Sequence, residues 1–320
     1  MKIVVIGGGP IGSKLVTKLR EHGHEAMAAS PDTGVDILTG EGLADALANA
    51  AVVIDVSNPP SFEDTVVLEF FETSTRNLLA AEAAAGVGHH VAMSAAGIER
   101  LQHSGYFRAK SAQEKLIENS AIPYSIVRAT QFFEFLPSVA DAATDGSIVR
   151  CAPVLFQPIA EDDAVQAIGK ISVGPPLNEK AEVAGPERFR MDEFFRSVLA
   201  ARDDPRTVVT DPHASFFGTE LGERTLMPGA DAVLGETRYR NWPGRTATGD
   251  NAFLHELELY VRTELILAGT SQPEEEAVGV PIEEWLSDPA DDQRYEASLR
   301  SLLGAVEALE DGSYPEPEGW

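Results

Sequence analysis

Lys2-Ile3-Val4-Val5-Ile6-Gly7-Gly8-Gly9-Pro10-Ile11-Gly12-Ser13-Lys14-Leu15-Val16-Thr17-Lys18-Leu19 decides the fold. The first five residues of that stretch are a β-branched apolar run of the kind that forms a buried strand, and helical spacing begins after the glycines. Strand, glycine turn and helix in that order open a dinucleotide-binding fold. In the pattern GxGxxG, Gly7 allows the tight turn, Gly9 lets the backbone approach a pyrophosphate, and Gly12 lets the helix lie against the strand. The helix N-terminus, with Pro10 and Ile11 in its first turn, then faces the phosphates. Pro10 removes one backbone donor from that end, so the phosphates are expected to sit differently than on a proline-free turn. A glycine turn that serves packing alone is the other reading of these residues.

Helix and strand alternate from there on. Glu25-Ala26-Met27-Ala28-Ala29-Ser30 reads as a second strand, poor in β-branched residues but placed where a second parallel strand must come. An acidic residue at this strand end binds the adenosine ribose diol of NAD, whereas small or basic residues leave room for the extra phosphate of NADP. Here the strand ends in Ser30-Pro31, with Asp32 two residues late. The carboxylate is out of position and Ser30 can donate to a phosphate, which favours NADP(H) and leaves NAD(H) as the alternative. Val35-Asp36-Ile37-Leu38 reads as a short third strand and Leu43 to Ala48 as a short helix. Ala51-Val52-Val53-Ile54-Asp55-Val56 is a buried-type run ending in Ser57-Asn58-Pro59-Pro60, so Val56, Ser57 and Asn58 are expected to border the cofactor cleft. Glu63 to Ala85 has helical spacing, with Gly86 as its stop. In the following strand, His89-His90-Val91-Ala92-Met93-Ser94, the adjacent histidines point to opposite faces and cannot share a metal; they are expected at the solvent edge. The whole alternation predicts a parallel sheet covered on both faces.

Ser94 ends its strand on the carboxyl side of the sheet, where ligands of open α/β folds bind. Farther on, Tyr106-Phe107-Arg108-Ala109-Lys110 opens a helix on which Tyr106 and Lys110, four apart, share one face. That pairing has a chemical use. An ammonium lowers a neighbouring phenol's pKa and can hold a nicotinamide ribose, while the phenol passes a proton to a carbonyl oxygen as hydride arrives. A nearby serine hydroxyl would hold the same oxygen. The bland alternatives are a rim tyrosine, a solvated lysine and a strand-end serine cap. Arg128 and Gln131 follow a buried-type strand and are expected at the cleft mouth; Gln131, Phe132 and Phe133 are the candidate walls of a substrate pocket, although adjacent aromatics after a strand also suit a core.

The glycine turn, Ser94, Tyr106 with Lys110, and Tyr124-Ser125-Ile126-Val127-Arg128-Ala129-Thr130-Gln131-Phe132-Phe133 together resemble the atypical short-chain dehydrogenase/reductases, in particular the NmrA-like NAD(P)-binding group. The likeness runs over residues 1–242 and includes Ala184-Gly185-Pro186-Glu187 and Asn241-Trp242. It implies an α/β architecture, a Rossmann-type doubly wound parallel sheet with a small C-terminal substrate lobe formed mainly by residues 150–242. It also implies NADP as the usual cofactor and Lys110 as the residue that holds the nicotinamide ribose. Two features depart from the group. Its glycine motif, often GGTGxIG, is one residue longer than the turn here, and where related enzymes place an asparagine in the helix before Ser94 this chain has Phe71, with Asn77 off register.

Composition sets outer bounds. The chain has 320 residues with 43% hydrophobic content, enough for a sizeable core. A net charge of −26 repels nucleic-acid backbones and anionic membranes. With no apolar run near the roughly 20 residues a bilayer span needs, no leader-like start and one cysteine, Cys151, the expected location is cytoplasmic. No metal site is expected. From Pro243 the composition becomes linker-like and then acidic with helical patterning; residues 243–320 read as an appended helical tail, packed on the body, on a second copy or on a protein partner. These observations define an NAD(P)H-dependent reductase of a small carbonyl or quinone-like molecule as the leading expectation. A non-catalytic NADP(H) sensor, and a scaffold whose shortened turn no longer binds nucleotide, are the alternatives.

Overall fold

Ile3 and Val5 face one way, Val4 and Ile6 the other, and all four are buried. Their strand, β1 (Lys2–Ile6), therefore needs a helical layer on each side. The computed structural model, which describes residues 1–61 and 63–245, supplies both layers. The tail expected over 243–320 lies, from residue 246 on, outside the described residues.

Along the chain come α1 (Pro10–Glu21), β2 (Glu25–Ala29), α2 (Leu43–Leu47), β3 (Val52–Asp55), α3 (Asp64–Ala85), β4 (His89–Ala95), α4 (Gly105–Glu118), β5 (Tyr124–Ala129) and α5 (Leu136–Ala142). Then follow β6 (Thr144–Asp145), β7 (Ile148–Cys151), β8 (Leu155–Phe156), α6 (Glu161–Ser172), β9 (Lys180–Ala184), β10 (Phe189–Arg190), α7 (Met191–Ala201), β11 (Thr207–Thr210), β12 (Ser215–Phe216), β13 (Thr219–Glu220) and β14 (Val233–Leu234). The main sheet has seven parallel strands in the order β14-β9-β5-β4-β3-β1-β2. Strand order reverses at β1, between β2 and β3, which is where open α/β sheets bind ligands beyond their carboxyl ends.

Ile3 and Val5 pack with Leu15 and Leu19 of α1 and with Val165 and Ile168 of α6. Val4 and Ile6 pack with Leu43 and Leu47 of α2 and Leu78 of α3. Each such side chain contributes about 1.5–3 kcal/mol on burial, so the period-2 pattern of β1 fixes its register firmly. At the top of α4, a Cβ on Gly105 would fall 1.9 Å from Asp64 Oδ1, so only glycine lets α4 close against α3.

Residues 150–242 do not form a separate lobe alone. β9 and β14 extend the main sheet, and α6 covers it. The remainder builds a small sheet, β11-β7-β6, and a core in which Phe156, Phe189, Phe194, Phe195 and Tyr239 interlock around α7.

Two local expectations are corrected. Residues 35–38 are not a strand: Asp36 Oδ1 accepts the Leu38 and Thr39 amides at 2.7 and 3.2 Å, a turn that competes with extended pairing. His89 and His90 are not at the solvent edge either. β4 is an inner strand, so both of its faces are covered. His89 bonds Ser125 Oγ at 2.8 Å, while His90 Nδ1 meets Glu82 Oε1 of α3 at 2.8 Å with both side chains fully buried.

Candidate functional site

The glycine turn divides its work among three residues. Gly7 adopts φ +112 and gives its amide to Ala29 O at 3.0 Å, tying β1 to the end of β2. A Cβ on Gly12 would lie 2.0 Å from Gly7 O, so the helix can touch the turn only through glycine. A Cβ on Gly9 would meet nothing within 4 Å. Gly9 is the N-cap of α1 and faces open space at the place where a pyrophosphate lies on such a helix end. Pro10 stands in the first turn of α1, where its missing amide hydrogen would have had no helical acceptor anyway. The first-turn amides of Ile11 and Gly12 remain to serve an anion. The residues therefore fit a dinucleotide.

Ser30 follows β2 beside this turn: a Cβ on Gly8 would lie 3.1 Å from Ser30 Oγ. Its amide is held by Thr33 Oγ1 at 2.9 Å, which fixes the loop that follows. Asp32 lies on that loop as an exposed residue.

Across the cleft, Ser57 and Asn58 leave the end of β3. Asp55 Oδ1 accepts the Ser57 amide at 2.9 Å and its hydroxyl at 2.6 Å. Val56 is half-buried against the same core as Ile11, Met93 and Phe132. Tyr106 of α4 reaches this loop and donates its hydroxyl to Asn58 Oδ1 at 3.1 Å. Burial pushes the phenol up to about 12.

Lys110 lies one turn along α4 in a closed setting. Its ammonium donates to Met93 O at 2.8 Å and to Gln113 Oε1, and stands 4.4 Å from the centroid of the Phe71 ring. Gln113 in turn donates to Asp55 Oδ2 at 2.9 Å. Burial pulls Lys110 down to about 8, against the opposing pull of Asp55 and Glu114. Phe71 also meets the Tyr106 ring edge-on at 6.0 Å, so one aromatic wall stands beside both side chains. Asp55 and Gln113 escaped the sequence reading. A signal was available: Asp55 is a charge inside an apolar strand run, and Gln113 shares a helix face with Lys110.

Ser94 stands at the carboxyl end of β4, as its sequence position predicts. Its hydroxyl donates to Glu114 Oε1 at 2.7 Å, and Arg128 grips the same carboxylate through Nε at 2.8 Å and Nη2 at 2.6 Å. Arg128 also pairs with Glu99 at 2.5 Å, and Lys180 adds a contact to Glu114 at 3.3 Å. Arg128 is thus buried within β5 and not at the cleft mouth; the two carboxylates hold its guanidinium above its ordinary pKa despite burial, which acts the other way.

Of the pocket candidates, Phe133 is core, packed on Tyr239 at 5.2 Å and Trp242 at 5.6 Å. Phe132 is half-buried near Ile11 and Met93, and Gln131 is half-buried with a backbone carbonyl that accepts from Ile159 N at 2.8 Å. Next to them Glu134 caps α6, accepting the Glu161 amide at 3.1 Å and Trp242 Nε1 at 3.2 Å. Burial raises Glu134 to about 7. The acids at the start of α6 do not cap it themselves; Glu161 and Asp162 pair with Lys14 of α1 at 2.9 and 3.1 Å. Among the described residues no cluster of three or more His, Cys, Asp or Glu is placed to hold a metal ion, and no helix is long and apolar enough to cross a membrane.

Sheet order and glycine turn define a Rossmann-type doubly wound fold. Residues 7–145 match the family described as NAD(P)H-binding. No curated protein matches the sequence. Among solved structures, a double mutant of the dTDP-glucose 4,6-dehydratase DesIV from Streptomyces venezuelae, with NAD bound, is 15% identical at a TM-score of 0.60 over 78% of this chain and 96% of its own. MoeE5 in complex with UDP-glucuronic acid and NAD is 19% identical at 0.57, covering 77% of this chain and 97% of that one. A dTDP-4-dehydrorhamnose reductase from Clostridium acetobutylicum is 14% identical at 0.56, covering 73% and 95%. At these identities the likeness is one of fold.

Proposed function

We propose that this protein is an NADPH-dependent reductase of a small carbonyl or quinone-like compound, of the NmrA-like branch. The observation that carries the reading is the placement of Tyr106 and Lys110 on one face of α4, with the phenol reaching the β3–α3 loop at Asn58. When bound, the nicotinamide supplies the hydride. Gly9 and the first turn of α1 hold the pyrophosphate, and Ser30, beside Gly8, donates to the extra phosphate of NADP. Lys110 spends two of its three N–H bonds on Met93 O and Gln113 Oε1, and the third is available to a ribose hydroxyl.

Tyr106 then gives its proton to the carbonyl oxygen as the C–H bond forms, which leaves an alcohol and a phenolate. A phenol near 12 is still a far stronger acid than the alcohol it creates, so the transfer runs downhill. Ser94, its proton engaged by Glu114, takes no part. The test is Tyr106→Phe: NADPH binding survives, carbonyl reduction falls by about 10²–10⁴-fold, and quinone reduction, which needs less help at oxygen, falls far less. Full carbonyl turnover in that variant would remove the proton-donor role.

One observation favours a second reading, a nucleotide sensor. Ser94 is engaged by Glu114 and Phe71 stands in place of a relay amide, so the site has fewer proton-handling groups than a full reductase. A sensor would bind NADPH and NADP⁺ with different affinity and turn over no acceptor.

A further inference from the structure

A cavity of about 120 Å³ opens between α5, β7 and the β12–β13 hairpin. Val139, Ala152, Met191, Ala214, Phe216 and Leu221 line it, and all six are buried. Interiors are normally packed to crystal density, so a hollow of this size is a departure from it; these buried apolar side chains form its floor, and the exposed Arg150 and Ser215 stand at its open side. Cys151, also on the wall, is an inert thiol: burial pushes it up to about 12.

The hairpin tip gives a second, independent sign. Phe217 has φ +46, a region that bulky side chains avoid, followed by Gly218 at φ +81. Asparagine or glycine would make the same two-residue turn without strain. The phenyl ring is instead kept there 51% exposed, edge-on to Phe216 at 4.7 Å and on the rim of the cavity. Strain and an exposed aromatic at one position are explained if the ring has a partner to cover.

We infer that this cavity is a binding site for a small uncharged aryl group, with Phe217 as its cover. The lining offers a single cation, Arg150, whose charge is partly balanced by Asp211 at 3.8 Å, too little for a phosphorylated ligand. Phe216 stacks on Phe107, the chain neighbour of Tyr106, so the site lies against the helix that carries the cofactor-cleft residues but shares none of them.

Benzene is the probe, titrated into the full chain without cofactor and read by saturation-transfer NMR and by Tm. The expected result is transfer to benzene and a rise of Tm by a degree or more. Ala142→Trp, at an exposed α5 position on the rim, abolishes both effects and leaves the unliganded Tm and NADPH binding unchanged. Phe217→Gly keeps the fold and weakens benzene at least threefold. No transfer in the natural protein, equal transfer in Ala142→Trp, or unchanged affinity in Phe217→Gly would overturn the inference. Because none of these readouts involves turnover, they stand apart from the reductase reading.

Discussion

The Ser94 hydroxyl donates a hydrogen bond to Glu114 Oε1 at 2.7 Å. That contact joins the serine to a buried ionic knot with Arg128, whose two bonds to the same carboxylate are what a buried charge requires. Ser94→Ala should therefore leave carbonyl turnover within about threefold of the natural chain and cost about 1 kcal/mol of stability, one hydrogen bond in a network that keeps its other partners. Steady-state kinetics beside a urea melt reads both numbers. A loss of turnover by 10²-fold or more would return the serine to the reaction.

Gly9 and Gly12 separate binding from folding. Gly9→Ala projects a methyl into open space, so the melting temperature should hold while NADPH affinity drops at least about tenfold, because the methyl occupies the pyrophosphate's place. Gly12→Ala drives a methyl to 2.0 Å from Gly7 O and should lower the melting temperature outright. Paired melts and NADPH titrations distinguish the two.

Lys110 makes the site pH-dependent. With a folded value near 8 against an ordinary 10.5, it loses its proton inside the protein before it would in the unfolded chain. Between those values the unfolded chain holds more protons, so stability should rise with pH across that window, and Lys110→Met should abolish the rise. NADPH affinity should run the other way, falling as pH climbs through 8 and the ammonium is lost.

Glu82 and His90 form a sealed pair at the amino end of the sheet, far along β4 from Ser94. Burial raises Glu82. For His90 burial acts downward, but the Glu82 carboxylate more than offsets it and the imidazole sits above its ordinary 6.5. Both groups hold more protons folded than unfolded. The stability they contribute is present at acid pH and is lost as pH rises from the ordinary carboxylate range through the raised His90 value. Glu82→Leu, which strands the imidazole, should cost about 3–5 kcal/mol at pH 6. A thermal melt series from pH 5 to 9 on the natural chain and this variant reads the effect.

Much of the fold was legible because β1 is simple: four apolar residues on two faces demand two helical layers, and three glycines at fixed spacing leave one turn geometry. The third strand was misplaced at residues 35–38 because Val35, Ile37 and Leu38 carry the pattern while Asp36 quietly takes the local amides. The histidines were misjudged for a different reason. Polar residues suggest an edge, yet each here has a buried partner distant in sequence, Glu82 or Ser125, that periodicity does not show. In the site, helix spacing puts Tyr106 and Lys110 on one face of α4, and it was the family resemblance that singled them out. Asp55 and Gln113 belong to different elements, and only tertiary packing joins them to Lys110.

The central claim is that the turn from Gly7 to Gly12 and the residue Ser30 hold NADPH. A fluorescence titration of the purified chain with NADPH and then NADH tests it most directly. Saturable NADPH binding at least about tenfold tighter than NADH, about 1.4 kcal/mol, is the predicted result. Binding of neither, at millimolar cofactor, would contradict it.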